Sequence, residues 1–112
     1  MAGRLVAGMD LGSTGMKLLV HGDDGDELVV EEVPTPWRAG PGGTADLPPE
    51  RVTAAVEQLL GAASRKLATI TNAPVAALAI AGMGETGMLA KEAGKPVAPA
   101  FAWYDPRGAA QV

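Results

Sequence analysis

The stretch Asp10-Leu11-Gly12-Ser13-Thr14-Gly15-Met16-Lys17 puts a carboxylate, two hydroxyls and an ammonium group around two glycines. Glycine lets the backbone turn tightly and leaves amides uncovered by side chains. Amides and hydroxyls hold phosphate oxygens, and a carboxylate holds Mg²⁺ directly or through water. The stretch therefore suits a polyphosphate with its metal, and Asp10 is the candidate metal residue. A plain Gly-Ser hairpin turn explains the same spacing. The acid favours the first reading. Asp10 ends an apolar run, where a buried carboxylate is costly unless it meets a cation or several donors.

Two further stretches carry polar groups beside glycines or aromatics. Gly82-Met83-Gly84-Glu85-Thr86-Gly87 satisfies G-x-G-x-x-G after an apolar run. Dinucleotide binding needs a helix to begin in that pattern. The following MLAKEAGKPVAPAF contains Gly94 and two prolines, a poor helix, so the dinucleotide reading is set aside. A turn that approaches a sugar fits better, because Glu85 can accept from hydroxyl groups. A solvated glycine turn is the alternative. Trp103-Tyr104-Asp105-Pro106-Arg107 offers an indole face to the C–H side of a sugar. Asp105 either accepts from sugar hydroxyls or orients Arg107. A core Trp with a structural Asp–Arg pair competes with that account, and for Arg107 the structural role is the better one.

The elements that must carry these groups follow from periodicity. Arg4–Leu11, apolar on both faces, predicts a central strand. Met16–His21 and Glu27–Val33 follow it, joined by the acidic turn Gly22–Asp26, and complete an antiparallel three-strand meander. That turn lacks the ligand spacing of a calcium loop. His21 has no partner His or Cys pattern and reads as a surface or satisfied residue. Pro34–Pro48 predicts a loop, with Trp37 as its anchor. A helix is expected from Pro49, ending by Asn72. Its packing face is Val52, Ala55, Val56, Leu59, Leu60, Ala63 and Leu67. Val75–Ala81 predicts a buried strand parallel to the first. Met88–Ala90 predicts a short strand, Pro96–Trp103 an extended segment and Gly108–Val112 the start of a helix.

Asp10–Lys17 resembles the first phosphate motif of the actin-like ATPase superfamily, and in particular the opening of the FGGY carbohydrate kinases. Gly82–Gly87 resembles the substrate loop of that family. The loop ends in Arg-Glu-Thr in glycerol kinases and carries Met-His-Gly in xylulose kinases. Glu85-Thr86 match the glycerol-kinase ending, whereas Gly84 stands in place of the Arg and leaves room for a larger substrate. Trp103–Arg107 resembles the family's Trp-x-Asp-x-Arg element. The resemblance implies an α/β, ribonuclease-H-like (actin-like ATPase) domain. Its mixed sheet would combine the antiparallel meander, one main helix and a parallel strand. It implies transfer of the ATP γ-phosphoryl group to a sugar, polyol or sugar acid, with ATP and Mg²⁺ as cofactors. Asp10, Gly12, Ser13, Thr14 and Lys17 would serve the nucleotide, with Asp10 on Mg²⁺. Met83, Gly84, Glu85, Trp103 and Asp105 would serve the substrate.

The resemblance also places a general-base Asp, a second phosphate motif and an adenosine pocket beyond Val112. Residues 1–112 thus read as a partial N-terminal domain, incomplete and inactive alone, whose partner is the remainder of a kinase chain. The alternative is a stand-alone actin-like nucleotide-binding or interaction module without kinase activity.

Composition narrows the classes further. The net charge is −4 and no basic stripe is present, which argues against nucleic acid or an anionic membrane as partner. Cysteine is absent, which fits a cytoplasmic protein and removes disulfides and thiolate metal sites. The N-terminal apolar run is broken at once by Asp10, unlike a signal peptide. Half a domain would leave an uncovered sheet edge and apolar faces, so a homodimer or aggregation is expected.

Overall fold

The computed structural model describes residues 4–84 and 86–107. The two apolar runs around the polar bend form β1 (Leu5–Leu11) and β2 (Gly15–Gly22), paired antiparallel with Asp10 opposite Lys17. The acidic turn returns the chain as β3 (Glu27–Pro34) against β2. Gly25 adopts φ +91° in that turn, a left-handed conformation that favours glycine. The Asp24 carboxylate accepts from the Asp26 amide at 3.0 Å, so the acid cluster organises its own turn. Side chains alternate along a strand. Met16, Leu18 and Val20 of β2 are accordingly buried, while Lys17 lies on the opposite, exposed face.

The predicted helix is α1 (Pro49–Ala68), with Pro49 and Glu50 in its first turn. Ala55, Leu59 and Ala63 recur every fourth residue and are its buried positions. Leu60, Ala63 and Leu67 share an apolar cavity with Ala7, Leu18 and Val20, which sets this part of the helix against one face of the sheet. Lys66 Nζ reaches Glu31 Oε2 of β3 at 2.6 Å. After α1 the chain enters the sheet as β6 (Val75–Gly82), parallel to β1. The sheet order β3-β2-β1-β6 makes β1 a central strand, as its two apolar faces predict.

One expectation about β6 does not hold. Its sequence reads as a buried strand, yet every residue from Val75 to Gly82 is exposed. β6 lies at the sheet edge, and the described residues cover its faces only in part.

The Pro34–Pro48 loop contains two short strands, β4 (Arg38–Ala39) and β5 (Ala45–Leu47), joined through a 3₁₀ turn at Pro41–Gly43. β7 (Ala100–Phe101) completes a sheet of order β4-β5-β7. These pairings are two residues long and reach across the sequence, so local periodicity does not reveal them. Met88–Ala90 is not a strand. Ala90 makes a single bridge to Pro96, closing a turn in which Gly94 has φ +80°. Pro96–Trp103 contributes only Ala100–Phe101 to a sheet, since proline offers no N–H to a ladder. The helix expected at Gly108–Val112 lies outside the described residues.

The chain divides into two compact units. One takes the segment up to Thr35 with Ala55–Met83, and the other takes Pro36–Ala54 with the segment from Gly84 onward. The β1-β2-β3-β6 sheet belongs to the first and the β4-β5-β7 sheet to the second.

Candidate functional site

In the first unit the bend between β1 and β2 is a braced turn. The Gly12 amide donates to the Gly15 carbonyl at 3.0 Å. A Cβ on Gly12 would come within 2.7 Å of that oxygen, so a larger residue cannot keep the turn. Thr35, buried just after β3, donates its hydroxyl to the Gly12 carbonyl at 2.5 Å. Its amide donates to the Thr14 carbonyl at 3.2 Å. With these carbonyls engaged, Ser13 and Thr14 form an exposed tip.

Asp10 departs from the expectation of a buried, compensated acid. It is exposed, and it makes no hydrogen bond or ion pair among the described residues, not even with Lys17 opposite. The register explains the exposure. Gly8 shares its face along β1, and Ala79 and Ala81 of β6 lie beside Gly8 and Asp10. These small residues leave the carboxylate uncovered. Among the described residues no three acids or imidazoles cluster as a metal cage. One open carboxylate beside a glycine bend is nonetheless a fitting donor for Mg²⁺, which keeps several waters and takes one or two protein oxygens. Met83 follows β6 here, its amide donating to the Leu11 carbonyl at 3.3 Å. Asp10, Gly12, Ser13, Thr14, Lys17 and Met83 thus all belong to the first unit.

The other expected substrate residues, Gly84, Trp103 and Asp105, belong to the second unit, and Glu85 lies outside the described residues. Trp103 is not a core residue, being 60% exposed. Its ring meets Tyr104 edge-on at 5.4 Å, and Tyr104 meets Trp37 at 6.2 Å. The side chain of Asp105 is only 1% exposed. Its carboxylate accepts from Arg107 Nε and Nη2, from the Arg107 amide and, at 2.7 Å, from the Ala45 amide of β5. The Arg107 guanidinium holds the Asp105 carboxyl well below the usual carboxylate range. The two amides reinforce that shift against the opposing effect of burial. Of the two roles open to Asp105, orienting Arg107 is the one its bonds display. Arg107 also lies over the Phe101 ring, 3.9 Å from its centre. Asp46 is held below its ordinary range chiefly by Arg38, whose Nε donates to it at 2.8 Å. A cavity of about 440 Å³ opens among Met88, Leu89, Phe101, Trp103, Asp105 and Arg107. Nearby in sequence, the Thr86 hydroxyl is buried without a hydrogen-bond partner among the described residues.

The sequence pattern of the FGGY family of carbohydrate kinases, N-terminal domain, matches residues 5–112. The chain belongs to the FGGY family.

Solved structures of similar fold agree with that membership. Gluconate kinase from Lactobacillus acidophilus aligns with a TM-score of 0.82 at 16% identity, over 98% of this chain and 22% of its own. Xylulose kinase from Rhodospirillum rubrum gives 0.80 at 20% identity, over 93% and 22%. Plasmodium falciparum glycerol kinase with ADP gives 0.86 at 15% identity, over 97% and 22%. The FGGY chain therefore spans about a fifth of the length of these enzymes. Identities this low show the fold, which is the N-terminal actin-like, ribonuclease-H-like domain of FGGY kinases. No curated protein sequence matches the chain.

Three residues important to the site were not singled out from sequence. Thr35 braces the bend between β1 and β2, but a Thr after a strand-ending Pro carries no distinctive signal. Asp46 sits in the Pro/Gly-rich loop, where its ion pair with Arg38 has no helical spacing to reveal it. Phe101 supports Arg107 from six positions away, visible only once β7 is formed.

Proposed function

We propose that the chain is the N-terminal piece of a carbohydrate kinase that moves the γ-phosphoryl group of ATP to a hydroxyl of a sugar, polyol or sugar acid. The FGGY family consists of ATP-dependent carbohydrate kinases. The supporting observation is the open carboxylate of Asp10, without a partner among the described residues, beside a glycine bend fixed by Thr35. In this reading Gly12 closes the bend through its own amide, the amides and hydroxyls of Ser13 and Thr14 at the tip receive phosphate oxygens, and Lys17 adds positive charge beside them. Asp10 would hold Mg²⁺, directly or through water. The metal supplies charge neutralisation at the transferring phosphoryl group. Most of the catalytic gain in such transfers is positioning and electrostatic stabilisation, which is what a braced turn provides. Trp103 presents its indole to the sugar, Gly84 leaves room beside it, and Glu85, outside the described residues, is the acceptor that the family resemblance implies for its hydroxyls.

No residue of this chain is assigned as the base that accepts the proton of the attacking hydroxyl. That role belongs to the remainder of the kinase. The exposed, apolar β6 favours this reading over a stand-alone module, because a self-sufficient domain covers such a strand. ADP release by the full-length product of the parent gene, over ketoses, polyols and sugar acids, tests the proposal. Turnover with at least one acceptor is expected. Absence of turnover with all of them contradicts it.

A further inference from the structure

The short strand β5 buries Ala45 and Leu47, so Asp46 between them stands on the opposite face, as strand alternation requires. Residues directly opposite in an antiparallel ladder share a face. The register sets Arg38 of β4 on one side of Asp46 and Phe101 of β7 on the other. Arg38 holds the Asp46 carboxylate with two donors, Nε at 2.8 Å and Nη2 at 3.1 Å. The Asp46 side chain is only 13% exposed. A carboxylate held twice and largely covered keeps its place, unlike one half of a lone surface ion pair. Arg107 lies on the Phe101 ring, and its Nη2 is 3.8 Å from Asp46 Oδ2. At that distance the attraction is ionic, without a hydrogen bond. The same strand reaches the other carboxylate that faces Arg107, because the Ala45 amide donates to Asp105. Two consecutive residues of β5 thus hold Arg107, one through a side chain and one through the backbone. The Asp105 amide in turn donates to the Ala102 carbonyl at 2.9 Å, closing the turn on which Trp103 stands.

We infer that Asp46 is a positioning residue for the phosphoryl acceptor: it fixes Arg107, and through Arg107 and Asp105 the turn that presents Trp103 to the cavity. This inference rests on the carbohydrate-kinase reading, in which Trp103 meets the acceptor, and it brings a residue of the Pro/Gly-rich loop into the support of that site. Asp46 is not among the described lining residues of the cavity, so it acts through Arg107 and not by contact with the acceptor.

Two measurements on the full-length protein test the assignment. In the first, phenylglyoxal labels arginine side chains and peptide mass spectrometry reads the rate at each. Asp46→Asn is expected to raise the rate at Arg107 at least about threefold, the size of one partly exposed ion pair. The exposed Arg51 and Arg65 of α1 are expected to keep their rates. In the second, phosphotransfer is followed with D-xylulose, glycerol and D-gluconate as a ketose, a polyol and a sugar acid. Asp46→Asn is expected to raise the acceptor KM at least about threefold while the ATP KM stays within about twofold. Asp46→Glu keeps the charge and is expected to recover part of the loss. In an Arg107→Gln background, Asp46→Asn is expected to change the acceptor KM less than about twofold, since residues that act through one another are non-additive. Asp46→Ser takes the place of Asp46→Asn should the latter fail to fold. An unchanged labelling rate at Arg107, an unchanged acceptor KM, equal rises in both KM values, or an effect that persists in the Arg107→Gln background overturns the inference. Absence of phosphotransfer to every acceptor strikes the kinase reading, and the labelling rates then decide by themselves whether Asp46 holds Arg107.

Discussion

Asp10 lies one residue before the end of β1 with its carboxylate open and without a partner among the described residues, so its part in stability can be measured apart from its proposed chemistry. Asp10→Asn is expected to change the unfolding free energy by less than about 0.5 kcal/mol, as for other exposed positions without special contacts. A larger loss in urea titration would show that Asp10 has a structural role. Thr35 behaves in the opposite way. It is buried and its hydroxyl holds the Gly12 carbonyl. Thr35→Val is expected to cost roughly 1–3 kcal/mol, the penalty of an unsatisfied buried acceptor, measurable by the same titration. Asp105 carries the pH dependence. Arg107 lowers its carboxyl in the folded chain, so the stabilisation is present above the ordinary carboxylate range and is lost as pH falls through about 4 and below. Asp105→Asn is expected to lower the melting temperature at pH 7, with the gap to wild type closing as the pH falls below 4. A gap that does not narrow in acid would remove the ion pair as its cause. At this scale the sequence was informative about identity and silent about environment. The types and order of Asp10, Gly12 and Lys17 were legible. Whether the acid was buried was not, because the small neighbours Ala79 and Ala81 come from a strand seventy residues away in the chain.

Elements were legible where one period ran unbroken. α1 is marked by Pro49, by Glu50 and by the recurrence of Ala55, Leu59 and Ala63. The meander is marked by alternation and by the glycines of its turns. Leu59 is 1% exposed, and Leu59→Ala is expected to cost about 2–5 kcal/mol, read from denaturant midpoints. A loss under 1 kcal/mol would mean that α1 packs only loosely on its sheet. The short strands β4, β5 and β7 were not legible. A pairing of two residues is selected by its partner across the fold rather than by its own composition. The same reasoning explains β6. Its apolar run predicts burial, while the described residues give it an edge position.

For the molecule as a whole, that edge has consequences. Ile80 is 64% exposed on a strand whose outer backbone groups are unpaired by any described strand. Such an edge recruits other strands. The isolated chain is expected to associate with rising concentration in sedimentation velocity, and Ile80→Lys to reduce that association. A monomer at all concentrations would show that β6 is protected. Among the described residues no helix is long and apolar enough to cross a membrane. The fold matches the N-terminal actin-like domain of FGGY kinases over nearly the whole chain and about a fifth of theirs.

The claim on which the rest depends is that Asp10 serves phosphoryl transfer. The most direct measurement compares ATP-dependent phosphorylation of a preferred acceptor by the full-length protein with Asp10 intact and with Asp10→Asn. A fall in kcat of at least about 100-fold with unchanged melting temperature is predicted, in keeping with loss of a transition-state electrostatic contact. Turnover by the variant within a few-fold of wild type would contradict the account.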